Sequence, residues 1–329
     1  MTYSLAIVVP AYNEAQVIDD FHARMGAVLD GLAAASRIIY VDDGSGDDTW
    51  TLIEAIAQRD ARVVALRLSR NFGKEAAMTA GLDAADADAV VVIDADLQDP
   101  PELIPELVAR WDDGYDVVYA RRTSRDGESA AKRLTAFLFY RLIGKMSRVR
   151  IPEDTGDFRL LSRRAVRAVC SMREQHRFMK GLFAWIGYPQ VAVPYRRAPR
   201  HAGATKWNYW KLWNFALEGI TSFTSVPLKV ATYIGLASAL GAFGYGLYIV
   251  LRTLMLGNPV PGYPSLLVAV MFLGGLQLLG IGVIGEYLAR MFNESKQRPL
   301  YFLKEGLHED APCERRPGAP ARDAAAAER

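Results

Sequence analysis

Up to about residue 225 the chain alternates two hydrophobic patterns. Short unbroken runs of Val, Ile and Leu at Leu5–Pro10, Arg37–Val41, Val63–Leu68, Ala89–Asp94 and Asp116–Ala120 predict strands. The stretches between them, Glu14–Ala34, Asp48–Arg59, Lys74–Ala85 and Glu102–Trp111, space their apolar positions three and four apart and predict helices. Runs that are continuous rather than alternating belong to strands covered on both faces. Alternating β and α in this order predicts a mostly parallel sheet with right-handed crossovers, and in such sheets ligands gather at the C-terminal ends of the strands.

The pattern changes further on. Val230–Leu251 and Ser265–Gly285 carry no charged residue and show no polar face. About twenty apolar residues make a helix of about 30 Å, enough to cross the hydrocarbon core, whereas a core helix of a soluble domain keeps a polar stripe. Between them lies a short loop, Arg252–Pro264, with Gly257, Asn258, Pro259, Pro261 and Gly262. Two spans joined by a short loop form a hairpin with both flanks on one side. Lys206, Lys211 and Lys229 precede it and Arg290, Lys296 and Arg298 follow it, while the loop holds only Arg252. The positive flanks place the N-terminal domain in the cytosol, at the inner (cytoplasmic) membrane in a bacterium. Ala237, Gly241, Ala242 and Gly246, then Gly274, Gly275, Gly280, Gly282 and Gly285, give both spans small faces. Such faces admit packing within the hairpin or between subunits of a homo-oligomer. The expected boundaries are a catalytic domain at 1–204, interfacial helices at 205–228, a hairpin at 229–288 (spans near 230–251 and 265–286) and a C-terminal segment at 289–329. Its charged, Ala-rich tail is expected to be disordered after about residue 306.

Composition adds exclusions. The 329 residues carry a formal net charge of +2, without the basic excess that nucleic-acid binding asks for. Cys170 and Cys313 stand far apart and outside any metal-ligand spacing, which suits a reducing compartment. Met1-Thr2-Tyr3 runs into a strand without a basic leader, so no signal peptide is expected. Neither a Gly-x-Gly-x-x-Gly turn nor a Gly-x4-Gly-Lys-Ser/Thr loop occurs, which argues against a dinucleotide enzyme and a P-loop NTPase.

The candidate chemistry lies at the predicted strand ends. The first strand runs into Pro10-Ala11-Tyr12-Asn13-Glu14, the second into Asp42-Asp43-Gly44-Ser45, and the fourth into Asp94-Ala95-Asp96-Leu97-Gln98. Alone, Asp42-Asp43-Gly44-Ser45 reads equally well as a turn and helix cap. Asp94 and Asp96 are sharper: two carboxylates leaving one buried strand repel unless a cation offsets them. A hard divalent ion takes oxygen ligands and leaves room for substrate phosphates, and Gln98 offers a further neutral oxygen. The alternative is a solvated acidic turn ahead of Pro100-Pro101. Farther along, Arg121 and Arg122 precede a stretch holding Arg125, Lys132, Arg133, Arg141, Lys145, Arg148 and Arg150 among Leu134, Phe137, Leu138, Phe139, Leu142 and Ile143. That mixture fits a membrane surface or a charged face on a core-packed helix. Trp207, Tyr209, Trp210, Trp213 and Phe215 with Lys206 and Lys211 suit an interfacial segment leading to the first span.

The three strand-end motifs, in this order, resemble those of inverting family 2 glycosyltransferases. Asn71-Phe72-Gly73-Lys74, Asp157-Phe158-Arg159-Leu160-Leu161-Ser162-Arg163 and Gly203-Ala204-Thr205-Lys206-Trp207 narrow the resemblance to the polyprenyl-phosphate glycosyltransferases, in particular the bactoprenol glucosyltransferase layout with a C-terminal hairpin. One departure is Ala204-Thr205, where the family often has Glu-Ser. The resemblance implies an α/β domain of GT-A type, with interfacial helices and a transmembrane hairpin. It implies that Pro10, Tyr12, Glu14, Asp42 and Ala95 line the donor nucleotide site, and that Asp94, Asp96 and Gln98 hold Mg²⁺ or Mn²⁺. Arg200 and Lys206 would lie over the donor diphosphate, and Arg121 and Arg133 on the acceptor lipid phosphate. Asp157 would be a general base or a positioning group. The implied reaction is inverting transfer of a hexose, glucose from UDP-glucose first, to undecaprenyl phosphate. The implied partners are the nucleotide sugar, the lipid and the membrane, with a sugar-lipid flippase and a downstream glycosyltransferase as further candidates. Two other readings stay open. One is a processive polysaccharide synthase, against which Gln175-His176-Arg177-Phe178 has the wrong spacing for a Gln-x-x-Arg-Trp signature. The other is a non-catalytic scaffold for a flippase.

Overall fold

The computed structural model describes residues 3–123, 155–195, 226–256 and 262–307. The basic stretch with Arg133, the Arg200 and Lys206 segment, the aromatic interfacial stretch up to residue 225, the loop at 257–261 and the tail after 307 lie outside the described residues.

The chain builds β1 (Tyr3–Ala11), α1 (Ile18–Asp30), β2 (Ala34–Asp42), α2 (Thr49–Arg59), β3 (Val63–Leu68), α3 (Lys74–Ala84), β4 (Ala89–Val92), α4 (Ile104–Asp112) and β5 (Val117–Arg122). Then follow β6 (Thr155–Ser162), α5 (Arg163–Ser171), α6 (Met179–Trp185), β7 (Gln190–Tyr195), α7 (Val226–Leu256), α8 (Tyr263–Ser295) and β8 (Leu303–Leu307). One sheet holds all eight strands in the order β7-β5-β6-β4-β1-β2-β3-β8. β4, β1, β2 and β3 pair in parallel, as do β5 and β7, while β6 runs antiparallel to both β4 and β5 and β8 antiparallel to β3.

The uninterrupted apolar runs are explained by burial on two sides. Along β1, Leu5, Ile7 and Val9 enter a core with Phe21, Met25 and Ile53 of α1 and α2, while Ala6 and Val8 enter a second core with Ala77, Met78 and Leu82 of α3. Side chains alternate across the strand, so both faces need apolar residues. α3 lies close on β1: a Cβ at Gly81 would come 2.3 Å from Val8 Cγ1.

Three features differ from the expectation. α1 stops at Asp30 because Ala34 already pairs with Tyr3 as the start of β2. The two apolar helices are longer than the uncharged stretches: α8 runs on through Glu286 and Arg290, which pair one turn apart at 3.2 Å. Charged residues end the uncharged stretch without ending the helix. Both helices are long and apolar enough to cross a membrane, and their apolar side chains face outward, Phe243 at 74% and Leu278 at 71% exposure. Finally, the segment after α8 returns to the sheet as β8, so the C-terminal segment completes the catalytic sheet. Ser69 donates its amide to Phe302 O at 2.8 Å, and Tyr301 donates its hydroxyl to Asp83 at 2.9 Å. Leu303-Lys304-Glu305-Gly306-Leu307 is a short, charged edge strand with little apolar signal. The end of α8 is also tied down: Glu294 Oε1 accepts the amides of Gln175 (2.7 Å) and His176 (3.3 Å).

Candidate active site

The ends of β1, β2 and β4 lie side by side because those strands are neighbours in register: Ala11 pairs with Asp42, and Val8 with Val92. The first two motifs lock together. Asn13 takes a left-handed backbone conformation (φ 55°). Its amide donates to Ser45 Oγ at 3.0 Å, and its side-chain oxygen accepts the Gly46 amide at 2.9 Å. Glu14 donates its amide to Thr49 Oγ1 at 2.9 Å. The second motif locks to the third loop in turn: Asp43 accepts the amides of Phe72 (2.8 Å) and Gly73 (2.9 Å). Burial pushes the Asp43 carboxyl above its ordinary value, and the two amides hold it back. Gly44 sits at the contact with φ 67°, where a Cβ would lie 2.6 Å from the carbonyl carbon of Arg70. Only glycine fits there.

Of the expected donor residues, Pro10 is buried, Tyr12 is exposed and Glu14 is half-buried beside them. Asp42 differs from expectation. Its side chain is fully buried and turns back on its own loop, accepting the Ser45 amide at 3.1 Å and lying 3.4 Å from Arg67 Nε. In this arrangement Asp42 holds the turn, and its carboxylate presents no surface to a base or ribose.

The exit from β4 is a tight acidic turn. Leu97 is buried in the left-handed region (φ 57°), a strained position for a branched side chain. Asp96 accepts the Gln98 amide at 3.1 Å. Asp99, also buried, accepts the Tyr195 hydroxyl, and Arg122 donates to the same hydroxyl at 3.3 Å. Successive residues of a strand face opposite ways. Arg122 therefore points toward the acidic turn, whereas Arg121, the residue expected at the acceptor phosphate, is exposed on the other side.

The centre of the site is a charge cluster. Lys74 Nζ lies 2.7 Å from Oδ1 and 2.8 Å from Oδ2 of Asp94, and it also hydrogen-bonds Asp157 Oδ2. Asp157 and Lys74 are 83 positions apart and meet because β6 inserts beside β4. Burial opposes the charge of Asp157, but Lys74 and Lys180 outweigh it and hold the carboxyl well below the usual carboxylate range. Burial likewise opposes the Lys74 ammonium, and Asp157 and Asp94 overcome it, raising its pKa. Asp94 is pushed up by burial, with Lys74 acting against that and Asp157 adding to it. Glu75, next on α3, is raised to about 7, first by burial and then by Asp157. Arg159 is buried and lowered to about 10 by that burial, its Nη2 donating to Gly156 O at 2.9 Å and its guanidinium 4.0 Å over the Phe183 ring. The sequence assigns no role to Lys74, Glu75, Arg122, Asp43 and Lys180, although Asp43 and Lys74 stand within the motifs and Arg122 beside Arg121. Each acquires its role from a partner distant in the chain.

The donor set suits a hard cation. Asp157 Oδ1 is a buried acceptor with no hydrogen-bond donor, the Asp94 carboxylate is met by the Lys74 ammonium, and Asp96 and Gln98 follow in the same turn. Among the described residues no three Asp, Glu, His or Cys groups converge on one point. A divalent ion would therefore rest on a few protein oxygens and complete its shell with substrate phosphates and water, the habit of Mg²⁺. Arg200, Lys206 and Arg133 lie outside the described residues.

Comparison with known proteins agrees with this architecture. Residues 6–170 match Glycosyl transferase family 2, and residues 226–291 match the GtrB C-terminal hairpin. An uncharacterized glycosyltransferase of Synechocystis is 52% identical over 305 residues, covering 93% of this chain and 96% of its own. A bactoprenol glucosyl transferase of Shigella phage SfV is 49% identical over 300 residues, covering 91% and 98%. A prophage homolog of that enzyme in Escherichia coli K12 is 48% identical over the same length and coverage. Among solved structures, glucosyl-3-phosphoglycerate synthase of Mycobacterium tuberculosis with Mn²⁺, UDP-glucose and phosphoglyceric acid has a TM-score of 0.46 at 23% identity, covering 67% of this chain and 78% of that one. A mostly parallel sheet with acidic strand ends, followed by an apolar two-helix hairpin, is a GT-A domain with a C-terminal hairpin, and the chain belongs to glycosyltransferase family 2.

Proposed function

We propose that this chain transfers glucose from UDP-glucose to undecaprenyl phosphate at the cytosolic face of the inner membrane, with inversion. The observation that carries the reading is the joint match of the catalytic domain and the hairpin, at nearly half identity over 91% of the chain, to relatives named bactoprenol glucosyl transferase. The exposed apolar helices suit a two-span anchor that keeps the domain beside its lipid acceptor.

The residues divide the work. Tyr12, Glu14 and the locked loops behind Pro10 and Asp42 form the nucleotide side, with Ala95 in its floor. Arg200 and Lys206 are assigned to the donor diphosphate. Asp94 and Asp96, with Gln98, would hold Mg²⁺ or Mn²⁺, which when bound neutralises charge on the departing nucleoside diphosphate. On the acceptor side Arg122, facing the acidic turn, takes the phosphate role that the sequence assigned to Arg121, together with Arg133. A phosphate oxygen of the lipid attacks the anomeric carbon. The bond from that carbon to the lipid phosphate forms as the bond to the diphosphate breaks. A phosphate monoester has its second pKa near 6, so the attacking oxygen needs little deprotonation near neutrality. Asp157 hydrogen-bonds the Lys74 ammonium, and an acceptor already ionised leaves little for a base to do. Its role is to position Lys74 and the acceptor side.

The test is incubation of the purified full chain with undecaprenyl phosphate and a panel of labelled nucleotide sugars, with and without EDTA. A lipid-extractable monosaccharide made from UDP-glucose and lost with EDTA is expected. Polymer, or no transfer from any donor, would sink the proposal.

A further inference from the structure

Lys74 begins α3, and its backbone is fixed. The preceding Phe72 and Gly73 amides are pinned by Asp43, and Gly73 itself has φ 96°. Only the four-carbon side chain is free to move. At present its ammonium sits astride Asp94, 2.7 and 2.8 Å from the two carboxylate oxygens, and reaches Asp157 with a further hydrogen bond. A divalent ion bound by Asp94 must approach those same two oxygens, and a cation already in contact with both repels it at short range. Beside Lys74 opens a cavity of about 590 Å³, but Arg70, Arg177, Lys296 and Arg298 in its walls would repel an ammonium, so the way out is toward solvent. The Lys74 side chain is itself 42% exposed, so its ammonium can swing out that way.

We infer that Lys74 is a resident counter-ion that competes with the divalent cation for Asp94 and yields Asp94 as metal and donor diphosphate arrive together. The inference rests on the reading that Asp94 and Asp96 hold the metal. It makes Lys74 a positioning residue with a specific consequence: metal binds weakly alone and tightly with the nucleotide, because the diphosphate supplies the further ligand oxygens that offset the cost of displacing the ammonium. A lysine that merely braces the fold would not have this effect.

The experiment titrates Mn²⁺ into the detergent-solubilised full chain without nucleotide, following the free-ion electron paramagnetic resonance signal. Lys74→Met keeps the stem and removes the charge, and it should bind Mn²⁺ at least about ten-fold more tightly than the parent. Lys74→Arg keeps the charge and should show no gain. Sugar transfer by Lys74→Met should fall. In the unaltered protein, acetylation of Lys74 by acetic anhydride, read by peptide mass spectrometry, should rise several-fold when Mn²⁺ and UDP are added together. Mn²⁺ affinity in Lys74→Met equal to or below the parent, or Lys74 labelling that does not respond to Mn²⁺ and UDP, would overturn the inference. The labelling decides alone if Lys74→Met does not fold. Metal-dependent transfer without any gain in Lys74→Met removes only the competition. Absence of Mn²⁺ binding in every protein, with UDP present, removes the metal reading as well.

Discussion

The two halves of the site are built by different forces. On the β1–β2 side, Asn13, Ser45, Asp43 and Thr49 join three loops through hydrogen bonds to backbone amides, around a glycine that admits no side chain. On the β4–β6 side, Lys74, Asp94, Asp157, Glu75 and Lys180 are held mainly by charge on side chains with several rotatable bonds. Amide hydrogen bonds to fixed backbone make a rigid cradle. A charge cluster can exchange partners when another ion arrives. The β1–β2 side is thus preformed, and the β4–β6 side can rearrange.

The largest expected effect breaks the charged half. Asp94→Asn should lower sugar transfer by about 10²–10³-fold, the scale of losing one electrostatic group at a reacting centre, with the circular dichroism spectrum unchanged. Retained transfer would mean that the acidic turn is not the reacting centre. Next comes the cradle: Gly44→Ala puts a Cβ 2.6 Å from backbone at φ 67° and should cost about 2 kcal/mol or more of stability, read as a fall in Tm. Gly46→Ala two residues on meets nothing within 4 Å and serves as the control, with a change within about 0.5 kcal/mol. Asp43→Asn leaves an amide group where two backbone N–H donors need acceptors, and should cost about 1–3 kcal/mol with the same readout.

The smallest effect concerns pH. The Glu75 carboxyl is raised to about 7 in the folded chain from an ordinary 4.5. Between those values the folded state binds more protons than the unfolded one, so this group's contribution to stability falls as pH rises through that window. Glu75→Gln does not titrate. Its Tm relative to the parent should therefore climb from pH 5 to pH 8. A flat difference would show that Glu75 is not buried against the acids of the cluster.

Much of the fold was legible in the chain itself. Ile7, Val9, Val63–Leu68 and Val90–Val92 announce doubly covered strands, because a strand with helices on both faces has no solvent side to make polar. β8 was not legible: its Lys304 and Glu305 face solvent at the sheet edge, and only pairing with β3 makes the segment a strand. The same limit applied to Arg121 and Arg122. Two adjacent arginines look alike in sequence, and the phase of β5 decides which one meets Tyr195 and the acidic turn.

What the sequence by itself determined is whatever depends on neighbours along the chain. That includes the alternation of strands and helices, the acidic turn after a buried strand, and two stretches long and apolar enough for a bilayer. These follow from local periodicity and hydropathy. Only the tertiary structure decided that Lys74 would bridge Asp94 and Asp157 and that the segment after α8 would complete the sheet. Those outcomes depend on antiparallel β6 and edge strand β8 crossing long stretches of chain. The energy of a buried charge is set by what surrounds it in space, not by its neighbours in sequence.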